Sequence, residues 1–286
     1  MVSYFTPDVH DLQAHPDIDN VRMLSNSKPN HDIEVLPLVA KWLDTCGAHH
    51  KGCENITRIL PSRLVSITGS DPQLVMTVDL PTDIEYATLS HCWGLSKYGT
   101  LKQDNIADFQ TRIPDDALSR TFVDSFTVAR FLGINYIWID SLCIIQDSKS
   151  DWLQESVRMC HVYSNSILNI AASKAKDGSE GFLSHRTPED RHLFFDIQEL
   201  RNGDRNRAYC MYDPFLELVG SCPLGKRGWV LQERILAPRT VHFMAGHIFW
   251  EVCRIFLKLY CIPDRLCELL SQSSRVMLPL PLETNF

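Results

Sequence analysis

The sequence predicts a doubly wound α/β core with a mostly parallel sheet, extended by an added C-terminal helix and β-hairpin. Three observations point there. Between residues 86 and 173, apolar runs of strand length alternate with segments of helical periodicity, the pattern of successive βαβ units. The run YIWID (136–140) is apolar at consecutive positions until its last residue, as in a strand covered on both faces. The chain has 286 residues, 44% of them hydrophobic, enough for one large domain or two small ones with a sizeable core.

The elements follow in order. Residues 1–33 are rich in Asp, His, Asn, Ser and Pro and read as a loose arm. An N-terminal extension spans 34–85. In it LPLVAKWLDTC (36–46) carries Leu36, Val39 and Leu43 at helical spacing. LPSRLVSI (60–67) and LVMTVDL (74–80) read as two strands joined by a turn over 69–72. The main domain spans 86–253. YATLSHCWG (86–94) opens it as a buried strand that runs into polar and aromatic groups. After a polar loop, IPDDALSRTFVDSFTVARFLG (113–133) reads as a helix, with Asp115 and Asp116 in its first turn and Gly133 at its stop. YIWID is the next strand. DWLQESVRMCHVYS (151–164) is a helix that Asp151 could cap, with Gln154 returning the bond. SILNIAAS (166–173) is a strand, and the charged stretch 174–191 a surface loop. LFFDIQ and RAYCMY read as strands around a turn, KRGWVLQERIL as a helix stopped by Pro238, and RTVHF with HIFWEV as the hairpin. Residues 254–286 form an atypical tail.

Charge and composition narrow the function. A net charge of −7 offers no basic footprint for nucleic acid. No run of 18 apolar residues appears, and the N-terminus lacks a secretory signal. The expectation is a cytoplasmic protein whose ten cysteines are reduced, buried or metal-bound.

Glu155 is the strongest chemical clue. It shares a helical face with Trp152, Met159, Val162 and Tyr163. A carboxylate on an apolar face is costly unless paired or used, and burial readies it for acid–base work. The competing reading is a structural Glu bonded to a nearby Arg or amide. Asp140 ends the YIWID strand, where doubly wound folds hold ligands; it could orient a ribose or cap its loop. Cys143 and Gln146 follow it, the first more readily a small buried hydrophobe, the second a ligand contact or a loop cap. Ser90, His91, Cys92, Trp93 and Gly94 close the first strand. Trp93 could stack on a planar ligand, and Gly94 permits close approach or a left-handed turn. Arg227, Trp229, Gln232, Glu233 and Arg234 crowd about two helical turns; Arg234 could pair with Glu155 or Asp140, or hold a phosphate. Cys46, His50 and Cys53, with His49 between them, have zinc-ligand chemistry, though no second close pair completes a site. No phosphate-binding glycine loop is present.

YATLSHCWG, the block 136–173 and RGWVLQERILAPRTVHF together resemble the fungal heterokaryon incompatibility (HET) domain, over about 86–251. WLDTCGAHHKGC and LPSRLVSI resemble the region that precedes it. The resemblance implies a TIR- or flavodoxin-like sheet and a role in non-self recognition, in which fusion of unlike hyphae triggers regulated cell death. Toll/interleukin-1 receptor (TIR) domains, thought to be distant relatives, include enzymes that cleave NAD with a helix-borne glutamate near a Trp. By that resemblance Trp152 and Glu155 look like the pair, Ser90, Trp93 and Gly94 line the nucleotide crevice, and self-association completes the site. The alternative is a non-enzymatic module that signals by self-association or by binding an incompatibility partner.

Overall fold

The computed structural model describes residues 31–49, 59–94, 98–185, 196–198, 207–209, 214–245 and 248–252. In chain order the elements are α1 (Leu36–His49), β1 (Arg63–Ser66), β2 (Gln73–Met76), β3 (Ala87–Ser90), α2 (Ile106–Thr111), α3 (Arg120–Phe131), β4 (Tyr136–Trp138), α4 (Asp140–Cys143), α5 (Lys149–Asn165), β5 (Leu168–Ala171), β6 (Asp196–Gln198), β7 (Arg207–Tyr209), α6 (Pro214–Ser221), α7 (Val230–Leu236), β8 (Arg239–Phe243) and β9 (Ile248–Val252).

Seven strands form one mixed sheet in the order β2-β1-β4-β3-β5-β8-β9. Its four central strands, β4, β3, β5 and β8, are parallel. Antiparallel pairs extend both edges, β1 and β2 on one side and β9 on the other. The 34–85 segment thus adds two strands to the main sheet through β1 and β4. Numbered among the parallel strands alone, the spatial order is second, first, third, fourth. That is a doubly wound order, whose switch point falls between β3 and β5.

The two faces of the sheet differ in chemistry. Residues paired in register share a face. On one face β3, β5 and β8 present Ala87 and Leu89, Leu168 and Ile170, and Val241. The other presents Thr88 and Ser90, Asn169 and Ala171, and Thr240 and His242. The apolar face meets α1, where Trp42 packs on Trp250. The polar face meets α5, where Tyr163 packs edge-on against Trp138 and the Tyr86 hydroxyl donates to the Val162 carbonyl at 2.8 Å.

Several local expectations change. Ser148, not Asp151, caps α5, accepting from the Asp151 N–H at 3.3 Å; Asp151 is drawn away by Arg63. The acidic pair falls outside α3, because Asp115–Ala117 is a separate 3-10 turn and Ser119 caps the helix, accepting from Phe122 N–H. Gly133 does take a left-handed φ of 73° at the helix stop. The segment 74–80 leaves the sheet after Met76 in a 3-10 turn, and the polar loop after β3 hides α2. The charged stretch after β5 is no mere surface loop. Phe182 and Leu183 are buried, and their N–H groups donate to Asp124 at 2.6 and 2.9 Å. Asp32, at the end of the N-terminal arm, is buried and accepts from Ser184. Residues 1–30 and 253–286, and the turn between β6 and β7, lie outside the described residues.

Candidate functional site

The site forms where β3 and β4 end. Asp140 gathers groups from three segments. Its Oδ2 accepts from the Trp93 indole N–H at 2.8 Å and lies 3.8 Å from the Arg227 guanidinium. Its Oδ1 accepts from Ser141 N–H at 2.7 Å and stands 3.9 Å from His91. Arg227 also donates to the His91 carbonyl. Gln146 donates to the Asp140 and Ile144 carbonyls, which fixes the loop. Gly94 has φ 61°, and a Cβ there would meet the Asp177 Cβ at 2.0 Å, so only glycine fits. Burial pushes the His91 imidazole down to about 4 against the pull of Asp140. It is therefore neutral near pH 7.

Glu233 lies beneath this cluster on α7. It is 2% exposed. Burial raises its carboxyl to about 7, although hydrogen bonding to Ser90 and Tyr163 and the charge of Arg227 work to lower it. Asp140 adds repulsion that raises it. Its Oε2 is buried without a hydrogen-bond partner. The Ser90 hydroxyl also stands 3.1 Å from Asn169 Oδ1 on the polar sheet face. Beside it, that face forms the floor of a cavity of about 220 Å³, at the switch point where ligands bind in such sheets.

Glu155 faces elsewhere. It is also 2% exposed, but Oε1 accepts from Ser62 at 2.6 Å and lies 3.6 Å from Arg158 and 3.9 Å from Arg63. Arg63 forks onto Asp151 at 2.7 and 2.8 Å and donates to the Cys143 carbonyl. These neighbours come from the approach to β1, from β1 itself and from α5. The Oε2 atom has no hydrogen-bond partner. Glu155 thus has one hydrogen bond, from Ser62, and two arginines at ion-pair distance.

The remaining expected residues divide. Arg234 pairs with Glu251, at 2.6 and 2.8 Å, rather than with Glu155 or Asp140, and stands 5.0 Å over the Phe215 ring. Trp152 and Trp229 are 44% and 52% exposed, so neither ring is closed over a site. Gln232 is half-buried on α7. Cys143 is buried and its thiol is pushed up to about 12 by burial, which suits a small hydrophobe. Cys46 is buried and its sulfur accepts from Arg239 at 3.1 Å. His50 and Cys53 lie outside the described residues. Among the described residues no three His, Cys, Asp or Glu side chains are grouped to hold a metal, and no helix is long and apolar enough to cross a membrane.

The sequence model of the heterokaryon incompatibility protein (HET) family matches residues 86–233, over half of the chain. The chain belongs to the HET family. Its role lies in heterokaryon incompatibility. Searches of curated proteins and of solved structures gave no match.

The HET match begins at Tyr86 and ends at Glu233. It contains the β3 end, Asp140, both buried glutamates and Arg227. The cavity floor extends past it to Thr240 and His242 on β8. Sequence reasoning missed Tyr163, Asn169, Ser173, Thr240, His242 and Glu251. A signal for two of them was present. In RTVHF, Thr240 and His242 stand two positions apart, which puts them on one face of a strand. In a sheet buried on both faces that alternation is unexpected.

Proposed function

We propose that this HET domain is an effector of non-self recognition and regulated cell death that cleaves the N-glycosidic bond of NAD or a related nucleotide, with Glu233 as the reacting carboxylate. One observation carries the reading. Glu233 is a buried carboxyl poised near pH 7, at the switch point and beside a cavity. Glu155, the first candidate on sequence grounds, is held by Ser62, Arg63 and Arg158.

The chemistry follows from the charges. Ionised Glu233 offsets the positive charge that develops at the anomeric carbon as the C–N bond breaks. The base leaves with the bonding electron pair, and for NAD it leaves neutral. Water attacks the oxocarbenium-like carbon, and one proton is released. Arg227, beside Asp140 and the His91 carbonyl, supplies a cation for the pyrophosphate, and Trp93 a ring edge fixed by Asp140. Activity therefore rises with pH through about 7, as Glu233 ionises.

A second reading, a non-enzymatic module acting by self-association, is favoured by a different feature. Trp152, Leu153 and Val157 on α5, with Leu231 on the neighbouring α7, are exposed.

The test is nicotinamide release from NAD by the purified full chain at high concentration. Glu233→Gln and Glu155→Gln run in parallel, with circular dichroism to confirm folding. Turnover lost in Glu233→Gln and kept in Glu155→Gln supports the reading. Loss in a folded Glu155→Gln alone transfers the role to Glu155. No turnover by the parent chain, even when concentrated, overturns the enzyme and leaves the self-association module.

A further inference from the structure

The polar face of the sheet is unusual where it meets α6 and α7. Parallel strands covered by helices are normally apolar on both faces. Here Ser90, Asn169, Ser173, Thr240 and His242 form the floor of the cavity of about 220 Å³, and residues of α6 and α7 such as Val219, Val230 and Leu231 form its roof. Burying polar side chains against an aliphatic roof is costly unless each is partnered. Thr240 is 1% exposed, lines the cavity, and its Oγ1 has no hydrogen-bond partner.

A fixed chain of hydrogen bonds stands beside it. Arg234 forks onto Glu251, whose Oε2 lies 3.0 Å from His242 Nε2. Burial lowers the His242 pKa despite Glu251. Burial also works to raise the Glu251 carboxyl, but bonds from His242 and Arg234 outweigh it and leave it lowered. A neutral imidazole beside a carboxylate carries its proton on Nε2, so Nδ1 accepts. Ser173 Oγ, 3.3 Å from Nδ1, then donates its proton to His242. That leaves the Ser173 oxygen as an acceptor towards the cavity, while the Thr240 hydroxyl is free to donate. No carboxylate lines the cavity among the described residues, and Arg234, its one lining cation, is neutralised by Glu251.

We infer that this cavity is a subsite for a neutral planar group with an amide-like edge, a carboxamide-bearing ring or a nucleobase, whose N–H donates to Ser173 and whose acceptor receives Thr240. The size agrees, because drug-sized ligands occupy pockets of roughly 300–1,000 Å³ and this one has room for a single ring system. The inference rests on the nucleotide reading and deepens it: the base sits over β5 and β8, and the bond to be cut points to Ser90 and Glu233.

The test needs no turnover. Saturation-transfer NMR measures binding of nicotinamide and of adenine to the full chain, with nicotinate as the charged control. Two variants accompany it. Thr240→Val removes one hydroxyl with little change of shape. Gly220→Leu adds a side chain at the α6 edge of the cavity, where a Cβ meets nothing within 4 Å; circular dichroism checks that it folds. Binding of nicotinamide or adenine but not nicotinate, roughly tenfold weaker in Thr240→Val and lost in Gly220→Leu, supports the inference. Nicotinamide binding alone makes the leaving ring the occupant, and adenine alone makes it the other base of the dinucleotide. Failure of both probes at millimolar concentration overturns it, as does equal binding of nicotinate. The two readings separate cleanly. NAD turnover with an unchanged KM in both variants sinks the subsite and keeps the glycohydrolase. Base binding without NAD turnover keeps the subsite and sinks the glycohydrolase.

Discussion

Glu155 and Glu233 are equally buried, and their surroundings are opposite. Glu155 sits on the β1 side with two arginines and a serine hydroxyl. Glu233 sits at the β3–β5 switch point, where burial and Asp140 oppose its charge and only hydroxyls and Arg227 favour it. Equal burial therefore does not mean equal surroundings. The sign of the neighbouring charges differs between the two carboxyls, and that sign acts on a buried carboxyl together with desolvation.

The largest expected effect breaks the Glu155 side. Arg63→Met leaves Asp151 and Glu155 without their shared cation, in a region where Arg63 is itself buried. Removing one partner of a buried ion pair costs roughly 3–5 kcal/mol, to be read as a fall in the urea midpoint. The next test sharpens the contrast at Glu233. Its folded pKa, about 7, lies above the 4.5 of an ordinary carboxyl, so the native state holds the extra proton. The contribution of Glu233 to stability is greatest below about 4.5, declines as pH rises through about 7, and is level above that. Glu233→Gln removes this slope and stabilises the fold above pH 7 by up to about 3 kcal/mol. Denaturation midpoints at pH 5 and pH 8 check it; a midpoint difference unchanged by the substitution refutes it.

The same substitution at Glu155 has the opposite sign. Glu155→Gln weakens the contacts with Ser62 and Arg63 and lowers stability by about 1–3 kcal/mol, measured at pH 7. If both glutamines stabilise, the distinction between the two sites collapses. The smallest effect is at the cavity floor. Thr240→Val deletes a buried hydroxyl that has no partner and raises stability of the ligand-free chain by about 1 kcal/mol, visible as an upward shift in Tm.

Much of the fold was legible in local pattern. The helical spacing of Leu118, Phe122, Phe126 and Ala129 marked α3, and the apolar run of YIWID marked a central strand, because side-chain periodicity follows directly from backbone geometry. Capping was less legible. Asp151 looked like a cap, but Arg63 lies 88 positions away in sequence and takes its carboxylate with two hydrogen bonds. The same limit hid the partner of Arg234, which is Glu251 on β9.

The HET membership, the alternation of strands with helices and the residues crowded at the ends of β3 and β4 are written along the chain, since each depends on neighbours within a few positions. The different neighbours of Glu155 and Glu233, the polarity of the cavity floor and the His242–Glu251 pairing were set only by folding. Each depends on strand order and register, which bring Thr88, Asn169 and Thr240 side by side. A carboxyl's charge state is set by the charges and solvent it meets in space, and no local spacing encodes those.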